Sequence, residues 1–270
     1  MLRRRPFLAA AAWLATTGRA AAERTPESAT PLRCAADRSL VASGLARALQ
    51  RGFAAYTGIR VLIVPGPALA ILEAMRNGEA DTALCNAPAA EEALEQQGLV
   101  HDRRLVAAGD FVIVGPVAPG RARWFPRGVG AVEALTHLHA LASADPATPP
   151  FVSANDGSGV HVAEQNLWRQ ARLEPVAPWY VAADPGRDFL AQVRERRGWA
   201  LVERSAWLAH GAGQAIAIQD DPQLAETVHV MRSFHATHPA GRIFADWVGG
   251  GRGRAVARAQ RGYRAPRHST

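Results

Sequence analysis

The residues with the clearest chemical potential lie in PFVSANDGSGVHVAEQNLW, Pro150 to Trp168. An apolar strand, Phe151 to Ser153, runs into a small polar loop, and the loop opens into a helix near Ser158. A glycine-containing loop feeding a helix N-terminus presents unpaired backbone N–H groups and the positive end of a dipole, which is the chemistry of anion binding. Ser158 and His161 also stand three apart at this helix start, a spacing that allows contact between a nucleophile and a base. The elbow pattern G-x-S-x-G is absent, because position 156 is Asp, and no third group is evident. The plainer reading makes Ser158 a helix-cap residue and places His161 on the exposed side of the first turn. No enzyme activity is expected.

Metal chemistry has little to build on. His137 and His139 are two apart, which on a helix points their rings apart. His235 and His238 lack a nearby Cys or strong acidic partner, and His161 with Glu164 supplies only two ligands. Neither a metal nor a cofactor is expected.

Three arginines, an apolar run from Pro6 to about Thr17, and Ala20 to Ala22 before Glu23 read as a cleaved signal peptide over 1–22. Arg4-Arg5-Pro6-Phe7-Leu8 fits a twin-arginine pattern, and a general secretory signal with a basic start is the alternative. The expected location is therefore periplasmic or secreted. The formal charge of +7 is concentrated at the ends: of 31 basic residues, four lie in 1–22 and six in 250–270, leaving 21 against 24 acids over 23–249. That distribution argues against nucleic acid as a partner, and no such binding motif is present. The Arg/Gly-rich end after Gly249 reads as a solvated, partly disordered tail. Cys34 and Cys85 could pair in an oxidising compartment or remain buried thiols.

The elements that must position the loop alternate strand and helix. Strands are expected at Leu32–Ala35, Ile59–Val64 and Asp81–Pro88, with helices between them carried by Val41, Leu45, Leu49, Phe53 and Tyr56 and by Leu69, Leu72 and Met75. This order implies a parallel sheet whose ligands sit beyond the strand carboxyl ends, at Ala36 to Ser39, Pro65 to Ala68 and Asn86 to Pro88. A strong strand at Asp110–Pro116 opens a second α/β unit. Its helix near Val132–Leu141 precedes the Phe151 strand and helix, and a strand at Trp179–Val181, a helix near Asp188–Arg196 and a strand at Trp199–Val202 follow. Strands at Ala215–Ile218 and Val228–Met231 and helices from Pro239 complete the chain.

With these residues placed, the chain resembles a periplasmic solute-binding protein of an ABC importer, most closely the tungstate-binding branch. The matching stretches include FAAYTGIRV, GEADTALCNAPAAEEAL, DRRLVAAGDFVIVGP, PFVSANDGSGVH, WALVERSAWLA and DDPQL. The resemblance implies an α/β, two-lobed type II fold, each lobe a mostly parallel sheet flanked by helices. Lobe 1 would be 23–112 with 213–270, lobe 2 would be 113–212, and the hinge would lie near Val112–Gly115 and Gly211–Gly213. It also implies a small oxyanion ligand, tungstate- or molybdate-like, delivered to membrane permease subunits by a monomeric binding component.

The expected ligand-binding residues are Asp37, Arg38, Ser39, Ser158, Gly159 and Val160, largely through backbone N–H groups. The ligand loops differ from the family pattern. Ala36-Asp37-Arg38-Ser39 replaces T-T-T-S, and Pro67 to Ile71 replaces G-T-G-Q-A. Ala154 stands where an arginine is expected and Val160 where a threonine is expected. Asp37 would repel a dianion unless Arg38 neutralises it, and Arg38, Arg187 or Arg204 could supply the missing charge. These changes leave open a divergent homologue that binds another small anion or acts as a sensor or partner-binding domain.

Overall fold

The computed structural model describes residues 30–117, 124–210 and 215–264. The expected signal peptide at 1–22 and the expected return crossing at 211–213 lie outside them. Among the described residues, no helix is long and apolar enough to cross a membrane.

The chain begins with β1 (Leu32–Asp37), α1 (Arg38–Ala42), α2 (Leu45–Thr57), β2 (Val61–Gly66), α3 (Ala68–Arg76), β3 (Thr82–Cys85) and α4 (Pro88–Gln96). The periodicity expected for one helix from Val41 to Tyr56 is divided between α1 and α2 by Ser43 and Gly44, with Gly44 at φ 86°. α2 buries Leu45, Leu49 and Phe53 on one face and ends at Gly58 in the left-handed region.

β4 (Val100–Gly115) is a single 16-residue strand, much longer than its apolar half suggested. After it come α5 (Ala131–Ala144), β5 (Phe151–Ser153), α6 (Gly159–Ala171), β6 (Tyr180–Ala182), α7 (Phe189–Glu195), β7 (Ala200–Glu203) and α8 (Arg204–His210). β8 (Ala215–Ile218), a 3₁₀ turn at Pro222–Leu224, β9 (Ala225–Ser233), α9 (Ala240–Gly249) and α10 (Gly251–Arg258) finish the described chain.

The main sheet runs β2-β1-β3-β9-β4-β7, with β8 also paired to β4. β1 pairs in parallel with β2 and β3, and β5 with β6. β9 lies antiparallel to both β3 and β4, and β4 lies antiparallel to β7 and β8. The α/β architecture is as expected, with a mixed sheet because a strand from the C-terminal part returns between β3 and β4. Buried apolar side chains segregate accordingly. Two clusters draw on residues 32–107 and 228–263, and two others on residues 111–224.

Part of the stretch read as a partly disordered tail, residues 250–264, is structured and carries α10, and the remaining residues 265–270 lie outside the described ones. α10 folds back on α9 at Gly253, where an added Cβ would lie 2.2 Å from the Val248 carbonyl oxygen. Tyr263 is buried, with its hydroxyl 3.0 Å from Ser43 Oγ and 3.2 Å from Ser205 Oγ. Arg264 reaches Asp110 at 2.9 Å. Cys34 and Cys85 are free and buried. Cys34 is in register with Thr82, three positions before Cys85, and the two thiols pack in different apolar clusters. Three strand residues span about 10 Å, beyond disulfide reach.

Candidate functional site

The end of β1 delivers Asp37 directly into α1. Asp37 is fully buried and caps that helix, its Oδ1 accepting from Ser39 N at 2.9 Å and Ser39 Oγ at 2.8 Å. The end of β5 delivers the second loop. Asn155 and Gly157 both take positive φ, at 45° and 75°, which turns the chain sharply enough to start α6. Ser158 is extended and caps α6, its Oγ accepting from His161 N at 3.4 Å.

The two loops meet. Gly159 N donates to Asp37 Oδ2 at 3.3 Å, across 122 positions of sequence. Gly159 lies so close to Asn86 that an added Cβ would stand 2.1 Å from Asn86 Oδ1. A second contact joins Leu69 N to the Gly157 carbonyl at 3.1 Å. Beside this junction is a pocket of about 300 Å³ whose lining includes Arg38, Ser39, Ser158 and Val160. Its remaining wall includes Ala42, Ala154, Asp156, most of the 183–190 stretch, Val202, Glu203, Ala206 and His210. A larger hollow of about 500 Å³ near Trp124 and Ile216 has Arg127 as its one charged lining residue among the described residues.

Each expected site residue has a definite place. Arg38, Ser39, Ser158 and Val160 line the pocket, whereas Asp37 and Gly159 bond to each other at its edge. Of the three arginines that could replace the missing charge, Arg187 pairs with Glu195 at 2.8 Å. Arg204 pairs with Asp110 at 2.6 Å and donates to Gln219 at 3.0 Å, the structural role of joining α8 to β4. Arg38 is exposed and its side chain has no hydrogen bond or ion pair among the described residues.

His161 is half-buried rather than exposed. Its Nδ1 accepts from Gly157 N at 3.0 Å, so that nitrogen is committed to the loop and does not face Ser158 as a base. Burial lowers its pKa. Among the described residues, no group of three or more His, Cys, Asp or Glu is arranged to hold a metal ion.

Sequence reasoning missed two buried acids, Glu203 in the pocket wall and Glu226 beside it in the sheet. Glu203 ends β7 and Glu226 is the second residue of β9, and they are 4% and 2% exposed. Glu226 accepts from Asn86 Nδ2 at 3.0 Å, and Asn86 Nδ2 also approaches Ser39 Oγ at 3.4 Å. Burial, reinforced by the Asp37 charge, pushes Glu203 up to about 7. Burial and the neighbouring Glu203 push Glu226 up to about 8. Burial also raises Asp37 above the usual carboxylate range, opposed by its hydrogen bonds from Ser39 and Gly159. No local pattern marks Glu203 or Glu226: Glu203 is the one acid in the apolar β7, Glu226 is one polar residue among several in β9, and only the sheet order brings them together.

Comparison with known proteins bears on this geometry. Residues 21–248 match the family described as the PBP superfamily domain. A protein of Haloferax volcanii, named as a candidate ABC transporter anion-binding protein, is 32% identical over 193 residues, covering 71% of this chain and 54% of the relative. This chain thus spans about half the length of that relative. The tungstate-binding protein TupA of Peptoclostridium acidaminophilum is 27% identical over 217 residues, covering 76% of this chain and 73% of the relative. Among solved structures, the tungstate ABC transporter protein of Geobacter sulfurreducens superposes with a TM-score of 0.70 at 25% identity, covering 84% of this chain and 97% of the other. These names describe transport binding proteins rather than enzymes.

Proposed function

We propose, because this chain belongs to the PBP superfamily, that it is the extracytoplasmic substrate-binding component of an ABC importer and holds a small oxyanion in its cleft. The observation that carries this reading is the convergence of Arg38 and Ser39 with Ser158 and Val160 on one pocket of about 300 Å³. α6 directs the positive end of a 13-residue helix toward that region. Arg38 stands at the pocket without a partner among the described residues, available to a negative ligand. The chain would work as two lobes, crossing between them once near Gly109 and again near Ala225, where the buried clusters change over. Ligand-dependent closure about these crossings would present a surface to the permease. Segment 1–22 would direct export, and the mature protein would act as a monomer.

The names of the relatives make tungstate and molybdate the first ligands to test. Asp37 favours a second reading, in which the altered loops hold a different small anion or serve a sensing domain. A thermal-unfolding panel of tungstate, molybdate, sulfate, phosphate and small carboxylates distinguishes the readings. At 100 times its dissociation constant, a true ligand should stabilise by about 2.7 kcal/mol. Tungstate or molybdate as the strongest stabiliser supports the first reading, and a carboxylate supports the second. A flat response to every anion sinks the transport reading.

A further inference from the structure

The N–H groups at the two loop ends are the natural donors for an anion in this cleft, yet this chain already accepts most of them itself. Ser39 N and Oγ and Gly159 N all bond to the Asp37 carboxylate, at 2.9, 2.8 and 3.3 Å. Ser158 N donates to Asp156 Oδ1 at 2.9 Å, and Gly157 N donates to His161 Nδ1 at 3.0 Å. A carboxylate that bridges donors from both loops fills the role of a bound oxyanion.

We propose that Asp37 is a resident occupant of the anion seat and a specificity-determining residue that weakens binding of dianions. A tetrahedral dianion must displace the Asp37 carboxylate from its donors or bind beside it. Either route is opposed by charge, because several groups face Asp37. The opposing charges are those of Asp37 itself and of Asp156 on the loop before α6; Glu203 from β7 and Glu226 from β9 also face Asp37 but are pushed toward the protonated form, and the buried Cys85 thiol on β3 carries no charge. Arg38 is the adjacent cation, and its side chain lies at the pocket, exposed, while Asp37 itself is fully buried. Like charges in a poorly hydrated site repel far more than in water.

This inference rests on the oxyanion-binding reading of the cleft but is tested separately from it. Asp37→Asn keeps an acceptor for Ser39 while removing the charge, and Asp37→Ser introduces a hydroxyl. Tungstate affinity would be measured calorimetrically for the wild type and for both variants, after circular dichroism and cooperative melting confirm folding. The expected result is at least tenfold tighter tungstate binding in a folded variant, and binding detectable only in the variant counts as that gain. General structural damage would weaken binding instead. Unchanged, weaker or absent binding in folded Asp37→Asn overturns the role of Asp37. A wild type that responds to no anion beside a variant that gains tungstate leaves Asp37 as the occupant and removes the transport reading. A wild type that binds tungstate as tightly as the variants does the reverse.

Discussion

Glu203 and Glu226 each hold one carboxyl oxygen, Oε1 and Oε2 respectively, buried without a hydrogen-bond partner among the described residues. Buried, mutually repelling carboxyls favour the protonated form. Both start from the ordinary glutamate value of 4.5 and rise to about 7 and about 8 in the fold. The folded state therefore binds more protons than the unfolded chain between those limits, and stability must fall as pH rises through about 4.5 to 8. Glu164, raised to about 7 by burial, contributes with the same sign. Denaturation at a series of pH values should show this decline, and Glu226→Gln should flatten it. A variant with the wild-type slope would contradict the protonated assignment. Ser158→Ala should cost about 1 kcal/mol through loss of the α6 cap, read by urea denaturation. An unchanged midpoint would show that the cap is not supporting the loop.

At the scale of elements, the site depends on close approach between β1 with α1 on one side and the β5–α6 turn on the other. Gly159 permits that approach, because a Cβ there would overlap Asn86 Oδ1. Gly159→Ala should destabilise by about 1–3 kcal/mol and reduce any ligand-induced rise in melting temperature. A fully stable variant with wild-type ligand response would show that the two loops are not held together as described. Asp110 joins β4 to α8 and to the C-terminal segment through Arg204 and Arg264, at 2.6 and 2.9 Å. Asp110→Asn removes the charge facing both arginines, with a cost of about 1 kcal/mol, because Arg264 is half-exposed and Arg204 keeps Gln219. Trypsin should then cut after Arg264 faster than in the wild type, and equal rates would contradict an anchoring role.

Much of this was legible along the chain. The buried stripe of α2, the Phe151 strand and the Ser158 helix start follow from spacing and cap chemistry. The length of β4 was not, because Val100–Ala108 shows no strand alternation, with four polar residues from His101 to Arg104 followed by an apolar run, and it takes its partner from β9, more than a hundred positions away. The structured end after Gly249 was also hidden, since arginine and glycine composition conceals the contacts of Ala257 and Tyr263. At the site, Ser39, Ser158 and Val160 could be placed from the loops, whereas the enclosure of Asp37 depends on Gly159, Glu203 and Glu226 arriving from three other segments.

For the whole molecule, the central matter is whether the pocket shared by Arg38, Ser39, Ser158 and Val160 is where a small oxyanion binds. Ser158 is buried at the pocket wall, so a large side chain there would fill the cavity and disturb the α6 cap. The decisive measurement is a calorimetric titration of wild type and Ser158→Trp with the anion that stabilises the wild type most. The account predicts a single saturable site in the wild type and loss of at least tenfold in affinity in a folded Ser158→Trp variant. Binding of equal strength in both proteins would place the ligand elsewhere and contradict the account.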